Sequence, residues 1–492
     1  MNRLYFNRTR YDRLALALVV GALSFAGCAG EDGIAGAVGP AGADGKDGAD
    51  GADGADGKDG NDGDTGAAGP AGADGGDGAT GATGVVGPDG TDGMDAVLGP
   101  VVLLNGRTYG WLDDNRAAIN AMITDLGSSS PDYDPEFRPV AVFDWDNTVI
   151  KNDIGDQTMA YLIENDKVLQ PPGKDWAVTN ENLTAEAKAS LNAACDDLAA
   201  EGEPLPTSGD ADCAAAIFSI YYDGVVAGSD QAAWQNGKTY TINQPYAWVA
   251  QLLSGYSPAS VRQFANAAFD RALSEPEGAT KTVGGISMAA YIRVYEPMAD
   301  LAAALQRNGF DVWVVTASPQ NVVDGIANEV GVDADHVIGI RNVLEGGLLT
   351  YGFQGCGTVA DDNRTMITFD RGKRCWINKV IFGLDAADQE AQAADPANRP
   401  VFVAGDSDTD IAMLKDATHL KLVINRNKTE AMCNAYANYD SKWFVQPMFI
   451  EPKAQRTAGY ACSTATDHEG NAIVDEAGAS IADQDDSVYA LP

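Results

Sequence analysis

Histidine is nearly absent: His336, His419 and His468 are the only three in 492 residues, and the seven cysteines include no CxxC pair. Zinc and dithiol redox sites draw on those two residue types, so neither chemistry leads the reading. Basic side chains are scarce, 33 against 71 acids, for a net charge of −38. Nucleic acids and anionic membrane surfaces are repelled by such a chain, which argues against nucleic acid as a partner. Long apolar runs are also missing. The stretch "LALALVVGALSFAG" has only 14 residues, too few to cross a bilayer.

That stretch has another use. Arg3, Arg8, Arg10 and Arg13 precede it, the pattern of a signal peptide over residues 1–27. It runs into "FAGC", which resembles a bacterial lipoprotein lipobox, although Phe25 stands where such boxes usually carry Leu. The resemblance implies cleavage before Cys28 and lipidation of its thiol; an ordinary secreted protein cut nearby at small residues is the alternative. Either way the expectation is an exported protein. With lipidation it is anchored to a bacterial membrane by its N-terminus, at the outer membrane and periplasm or the cell surface. Six cysteines remain, an even number that suits disulfides in an oxidising compartment, with sequential pairing the simplest connectivity.

From Gly30 to Gly93 glycine holds every third position without a break, 22 in phase. Only glycine fits at the axis of three wound polyproline-like chains, so this register is a collagen-like signature. Proline is sparse, at Pro40, Pro70 and Pro88, and residues 30–95 carry fifteen acids against two lysines. Residues 28–95 therefore read as a stalk, with a homotrimer as its assembled form, or as a disordered acidic spacer.

Globular sequence follows. "LDDNRAAINAMITDLG" has the spacing of an amphipathic helix, and "RPVAVF", "FDVWVVTAS", "RPVFVAG" and "LKLVIN" read as buried strands. "EPMADLAAALQRNG" and "PQNVVDGIANEVG" read as helices between them. Strands alternating with helices predict an α/β fold with a doubly wound parallel sheet, and loops at the carboxyl ends of its strands carry the chemistry. The predicted extent is residues 96–462, followed by an acidic mobile tail over 463–492.

Four motifs stand in one order: "DWDNT" after the first strand, "VVTAS" at a strand end, a lysine in "RGKRCWINKV", and "GDSDTD". Together they resemble the haloacid dehalogenase superfamily, in particular phosphatases of the phosphoserine and phosphorylcholine phosphatase type. The resemblance implies a Rossmann-like core and a Mg²⁺-dependent phosphomonoester hydrolase acting on a small phosphorylated metabolite. Each group answers a physical need. A carboxylate, Asp144, attacks phosphorus and divides hydrolysis into two steps through an aspartyl-phosphate. A second, Asp146, protonates the leaving alcohol and then deprotonates water. Asp144, Asp406 and Asp410, with the backbone carbonyl of Asp146, offer the oxygen ligands that Mg²⁺ prefers. Asp408 lies between ligands but reads as a solvated loop acid. Thr316 donates to a phosphoryl oxygen, with Ser318 as a nearby substitute. Lys373 neutralises transition-state charge, with Lys379 as the alternative.

About 165 residues separate the first two motifs, too many for one crossover. The resemblance implies a helical cap inserted over residues 151–293. Its aromatics, among them Trp176, Tyr221, Trp234, Tyr246 and Trp248, either hold a quaternary ammonium or form the cap's own core. A second class of function stays open at this point: a non-catalytic surface stalk or adhesin with a ligand-binding head.

Overall fold

The structure is a computed structural model that describes residues 101–104 and 110–491. The signal segment, the Cys28 lipidation site and the Gly-X-Y repeat lie outside the described residues.

Six strands form one parallel sheet: β1 (Val140–Phe143), β2 (Asp311–Pro319), β3 (Val337–Ile340), β4 (Phe402–Gly405), β5 (Leu420–Asn425) and β6 (Trp443–Pro447). Their spatial order is β6-β5-β4-β1-β2-β3. The chain winds outward from β1 on one side through β2 and β3, then returns to β4 on the other side and winds out again. The order therefore reverses beside β1, between it and β4, where the loops after neighbouring strands diverge and leave a crevice. This is the α/β architecture expected from the sequence.

Period-two alternation explains how four-residue strands build two core faces. Ala141 and Phe143 pack with Val312, Val314, Phe402 and Ala404 against α1 (Asp113–Leu126) and α7 (Glu296–Arg307). Val142, Val315, Ile338 and Val403 face the other way, toward Trp376 and Ile377 of α9 (Arg371–Val380) and Leu414.

Between β1 and α7 the chain leaves and re-enters through a two-stranded stem in which Ile150 pairs with Val294 and Lys151 with Arg293, antiparallel. The insertion carries α2 (Ile154–Glu164), α3 (Ala185–Cys195), α4 (Ala211–Tyr222), α5 (Gln244–Gln251) and α6 (Pro258–Ser274). Trp176, Trp234 and Trp248 are buried against one another. These rings thus make the insertion's own core. A second ribbon, Asn342–Glu345 with Leu348–Phe353, docks onto the insertion where Leu349 exchanges backbone hydrogen bonds with Gly255 and Tyr256.

Two expectations differ from the structure. The helix read over 319–331 is only one helical turn, α8 (Gln320–Val323), and a 3₁₀ segment, Ala327–Val330, with Asp324, Gly325 and Ile326 between them. Asp324 is drawn out to a two-pronged pairing with Arg262, and glycine weakens helix at the break. The second concerns residues from 463 on, read as a mobile tail; they are seated on the sheet's second face. Ile473 and Ile481 are buried there. Cys433–Cys462 ties the segment to a helix, and Glu476 pairs with the buried Lys421 at 2.7 Å. The acids that make the segment look unfoldable are spent on turns and on this buried cation. Cys195–Cys213 and Cys356–Cys375 complete the sequential pairing.

Candidate active site

The loop after β1 turns within "DWDNT" because Asn147 takes a left-handed conformation, φ 64°, which asparagine tolerates better than most residues. The turn brings Thr148 back over Asp144: its hydroxyl lies 3.1 Å from Asp144 Oδ2 and 3.2 Å from Asp406 Oδ1. At the end of β4, the main-chain N–H groups of Asp406 and Ser407 each donate to Asp410 Oδ2 at 3.0 Å. Asp144, Asp406 and Asp410 are all buried, with one carboxylate oxygen from each inside 4.8 Å of the others.

Such a cluster needs positive charge. Lys373, fully buried on α9, donates to Asp144 Oδ1 and Asp410 Oδ1, each at 2.6 Å. Burial opposes its charge, but the two carboxylates overcome this and hold its pKa above the ordinary value. Asp144 is nonetheless pushed well above the usual carboxylate range, by burial first and by Asp410 next, with Lys373 opposing. Lys379 stands elsewhere, donating to the Gly355 carbonyl at 2.6 Å with its ammonium over the Trp376 ring. The residue preceding the α9 helix, Asp370, has φ 45°, a strained start to the segment that carries Lys373.

Asp146 is held apart from the cluster. Its Oδ1 accepts from the Ile154 N–H at 2.7 Å and its Oδ2 from the Ser318 hydroxyl at 2.7 Å. Burial raises its pKa to about 6 against these two bonds. The carboxyl therefore carries a proton in part of the near-neutral range. Thr316 is fully buried, 3.5 Å from Asp146 Oδ2, and its hydroxyl accepts from the Ser318 N–H. Ser318 and Ala317 form the wall of the pocket instead. Asp408 is not free in solvent: it turns away from the cluster and accepts from Ala431 N at the start of a helix.

Sequence reasoning missed Arg426. It lies one residue past β5 and lines the pocket, donating to Asp406 Oδ2 at 2.6 Å. The pocket, of about 50 Å³, is lined also by Asp153, Tyr221, Tyr246 and Val249 of the insertion. A larger cleft of about 270 Å³ within the insertion contains none of the motif residues.

The donor set fits a hard divalent cation: three convergent, buried oxygen donors, no nitrogen or sulfur ligand, and more negative charge than one lysine balances. No helix among the described residues is long and apolar enough to cross a membrane.

Comparison with known proteins follows the same lines. Residues 228–415 match the haloacid dehalogenase-like hydrolase family, and residues 20–101 match the collagen triple helix repeat. No curated protein matches the chain. A functionally unknown protein from Anaerococcus prevotii is similar in structure, with TM-score 0.50 and 20% identity over 69% of this chain and 93% of that one, a likeness of fold alone. A protein of unknown function from Bordetella pertussis gives TM-score 0.35 and 17% identity over 63% and 97% of the two chains. A substrate-bound phosphoserine phosphatase gives TM-score 0.27 and 16% identity over 58% and 86%.

Proposed function

We propose that this chain, a haloacid dehalogenase-like hydrolase domain joined to a collagen-like repeat, is a phosphatase that hydrolyses a small phosphorylated metabolite, phosphoserine- or phosphocholine-like, with Mg²⁺. One observation carries the reading. Three buried carboxylates and a buried lysine converge beside a fourth carboxyl group whose pKa, about 6, suits proton transfer near neutral pH.

Asp144 is the nucleophile: a carboxylate oxygen bonds to phosphorus as the ester P–O bond breaks. Asp146 gives its proton to the departing alcohol oxygen. Asp146, now charged, takes a proton from water as that water's oxygen bonds to phosphorus, and the P–O bond to Asp144 breaks to restore its carboxylate. Asp144, Asp406, Asp410 and the Asp146 carbonyl would hold Mg²⁺, whose chemistry is to offset the negative charge shared by nucleophile and phosphoryl group. Lys373 adds a fixed cation to that neutralisation, and Ser318 supplies the hydroxyl facing the phosphoryl group, with Thr316 behind it.

Export and lipidation at Cys28 belong to the same proposal. Pairing of all six cysteines among the described residues supports an oxidising compartment. The collagen-like repeat supports a homotrimer. The test is hydrolysis of p-nitrophenyl phosphate: it should need Mg²⁺, stop in EDTA and vanish in Asp144→Asn. Full activity in that variant would end the proposal, and absence of turnover by the wild type would favour a binding head instead.

A further inference from the structure

Two copies of one eight-residue unit stand near the C-terminus, "TDHEGNAI" over 466–473 and "VDEAGASI" over 474–481. In each, the aspartate closes a turn. Asp467 Oδ1 accepts from the Glu469 and Asn471 N–H groups at 2.9 Å, and Asp475 Oδ1 from those of Ala477 and Ala479 at 2.8 Å. The glycine takes the left-handed conformation that the turn requires, φ 84° at Gly470 and 78° at Gly478, and the isoleucine is buried. The third position of each unit then reaches into the molecule. In the second unit that residue is Glu476, which accepts from the buried Lys421 at 2.7 Å and from the Trp443 indole N–H at 2.8 Å. In the first it is His468, whose side chain is only 4% exposed.

His468 enters between the lysine motif and "GDSDTD". Its ring centre lies 5.0 Å from that of Phe369, and Nε2 is 3.1 Å from the Asp408 carbonyl oxygen and 4.0 Å from Asp370 Oδ2. Burial, with Lys238 next, lowers the His468 pKa to about 4, so the ring is neutral near pH 7. A neutral imidazole nitrogen facing a carbonyl oxygen carries the proton, so Nε2–H is the donor.

That carbonyl has lost its helical donor. Asp408 belongs to the 3₁₀ turn Asp408–Asp410, which runs into α10 (Ile411–Asp416), and a continuous α-helix would return the Ala412 N–H to the Asp408 oxygen. Here the Ala412 N–H goes to Asp370 Oδ1 instead, at 3.2 Å, and His468 takes the place it leaves. Asp370 itself starts the segment of the buried lysine: its N–H donates to the Thr409 carbonyl and its own carbonyl accepts from the Lys373 N–H, both at 3.0 Å. The histidine therefore sits against both segments that build the carboxylate cluster, the one with Asp406 and Asp410 and the one with Lys373. The same turn is tied to the insertion. Tyr240 donates its hydroxyl to Asp467 Oδ2 and accepts from Asn471 Nδ2 at 2.9 Å, while its carbonyl accepts from the Arg371 N–H at 3.0 Å.

We infer that His468 is a positioning residue for the phosphatase site: its bond to the Asp408 carbonyl holds the turn between Asp406 and Asp410 in the geometry that binds Mg²⁺. The inference rests on the phosphatase reading and adds to it a donor from outside all four motifs. Among the described residues His468 bonds to no ligand carboxylate, so it acts through the backbone of Asp408.

Calorimetric titration of the full chain with Mg²⁺ tests this apart from turnover. His468→Phe keeps a ring against Phe369 and removes the donor, whereas His468→Gln returns an amide N–H close to Nε2. Losing a group that orients metal ligands typically costs about 10–100-fold in metal affinity, so Kd for Mg²⁺ should rise about tenfold or more in His468→Phe and lie within about threefold of wild type in His468→Gln. Glu476→Gln perturbs the neighbouring turn without touching the motifs; it should lower stability in urea and leave that Kd unchanged. An unchanged Kd in His468→Phe overturns the role. Equal weakening in His468→Phe and His468→Gln also overturns it, because packing and not the hydrogen bond would then matter. Equal weakening in Glu476→Gln overturns it as a general loosening of the segment. Should His468→Phe fail to fold, His468→Met removes the donor with a more adaptable side chain and is judged in the same way. A chain that binds Mg²⁺ but hydrolyses nothing would end the phosphatase reading and leave this comparison to decide the positioning role, whereas a wild type that binds no Mg²⁺ overturns the role itself.

Discussion

Replacing Lys373 by methionine keeps the bulk of the side chain and removes the ammonium from between Asp144 and Asp410. At 2.6 Å to each oxygen, and with an effective dielectric of ~20, each contact is worth ~6 kcal/mol of gross attraction. Desolvation of the buried ammonium cancels much of this, and breaking such a pair typically costs ~3–5 kcal/mol net. Protonation limits the damage. Asp144 already lies well above the carboxylate range, and losing Lys373 moves it higher, so the folded variant binds a proton that the unfolded chain releases. Stability of the variant then falls as pH rises through the gap between the two values. Urea unfolding in EDTA should show Lys373→Met close to wild type near about pH 3, below the unfolded carboxyl pKa of ~3.9, and ~3–5 kcal/mol weaker near about pH 8. Mg²⁺ should return more stability to the variant than to wild type, because it offsets the same carboxylates. A variant within about 0.5 kcal/mol of wild type at the higher pH, an effect no larger than a surface substitution, would refute the picture of Lys373 as the internal counter-charge.

Asp146→Asn should lower kcat by ~10²–10⁴-fold on an alkyl phosphate, whose alcohol must be protonated to leave. It should have far less effect on p-nitrophenyl phosphate, whose leaving group needs no proton; equal losses on both would remove Asp146 as the acid. Glu430, buried and faced by Asp408 and Asp370, is pushed from 4.5 up to about 8. The folded protein thus keeps a proton there that the unfolded chain has lost, and stability declines between about pH 4.5 and about pH 8. Thermal unfolding of Glu430→Gln should show a flatter profile, and an identical slope would contradict the assignment. Ile481→Ala should cost ~2–5 kcal/mol, since Ile481 is fully buried; a mobile tail would give no measurable change in urea unfolding.

The parts of this fold legible in the sequence are those where local pattern and position agree. "VAVF" and "VFVAG" are apolar runs that lead into motif residues, "LKLVIN" is a third apolar run, and each forms a sheet strand. Strands β3 and β6 escaped because "VIGI" carries a central glycine and "WFVQP" ends in glutamine and proline, both weak strand signals. The candidate site was readable where chemistry repeats a motif, as with Asp144, Asp406 and Asp410. Lys373 and Lys379 could be told apart only in three dimensions, since both lie on α9 and only its buried face meets the carboxylates. Arg426 gave no signal: a lone arginine after a strand is ordinary, and its meaning comes from a carboxylate 20 residues away in sequence. The last 30 residues misled because composition averages over Ile473 and Ile481, two anchors that turns set into the same face.

The central claim is that phosphorus passes through the side chain of Asp144. Rapid acid quenching of a reaction with ³²P-labelled p-nitrophenyl phosphate and Mg²⁺, followed by borohydride reduction and peptide mapping, reads that event directly. Label approaching one per active site, with reduction confined to residue 144 and none in Asp144→Asn, is the predicted result. Turnover that releases inorganic phosphate with no protein-bound label at any quench time would contradict it.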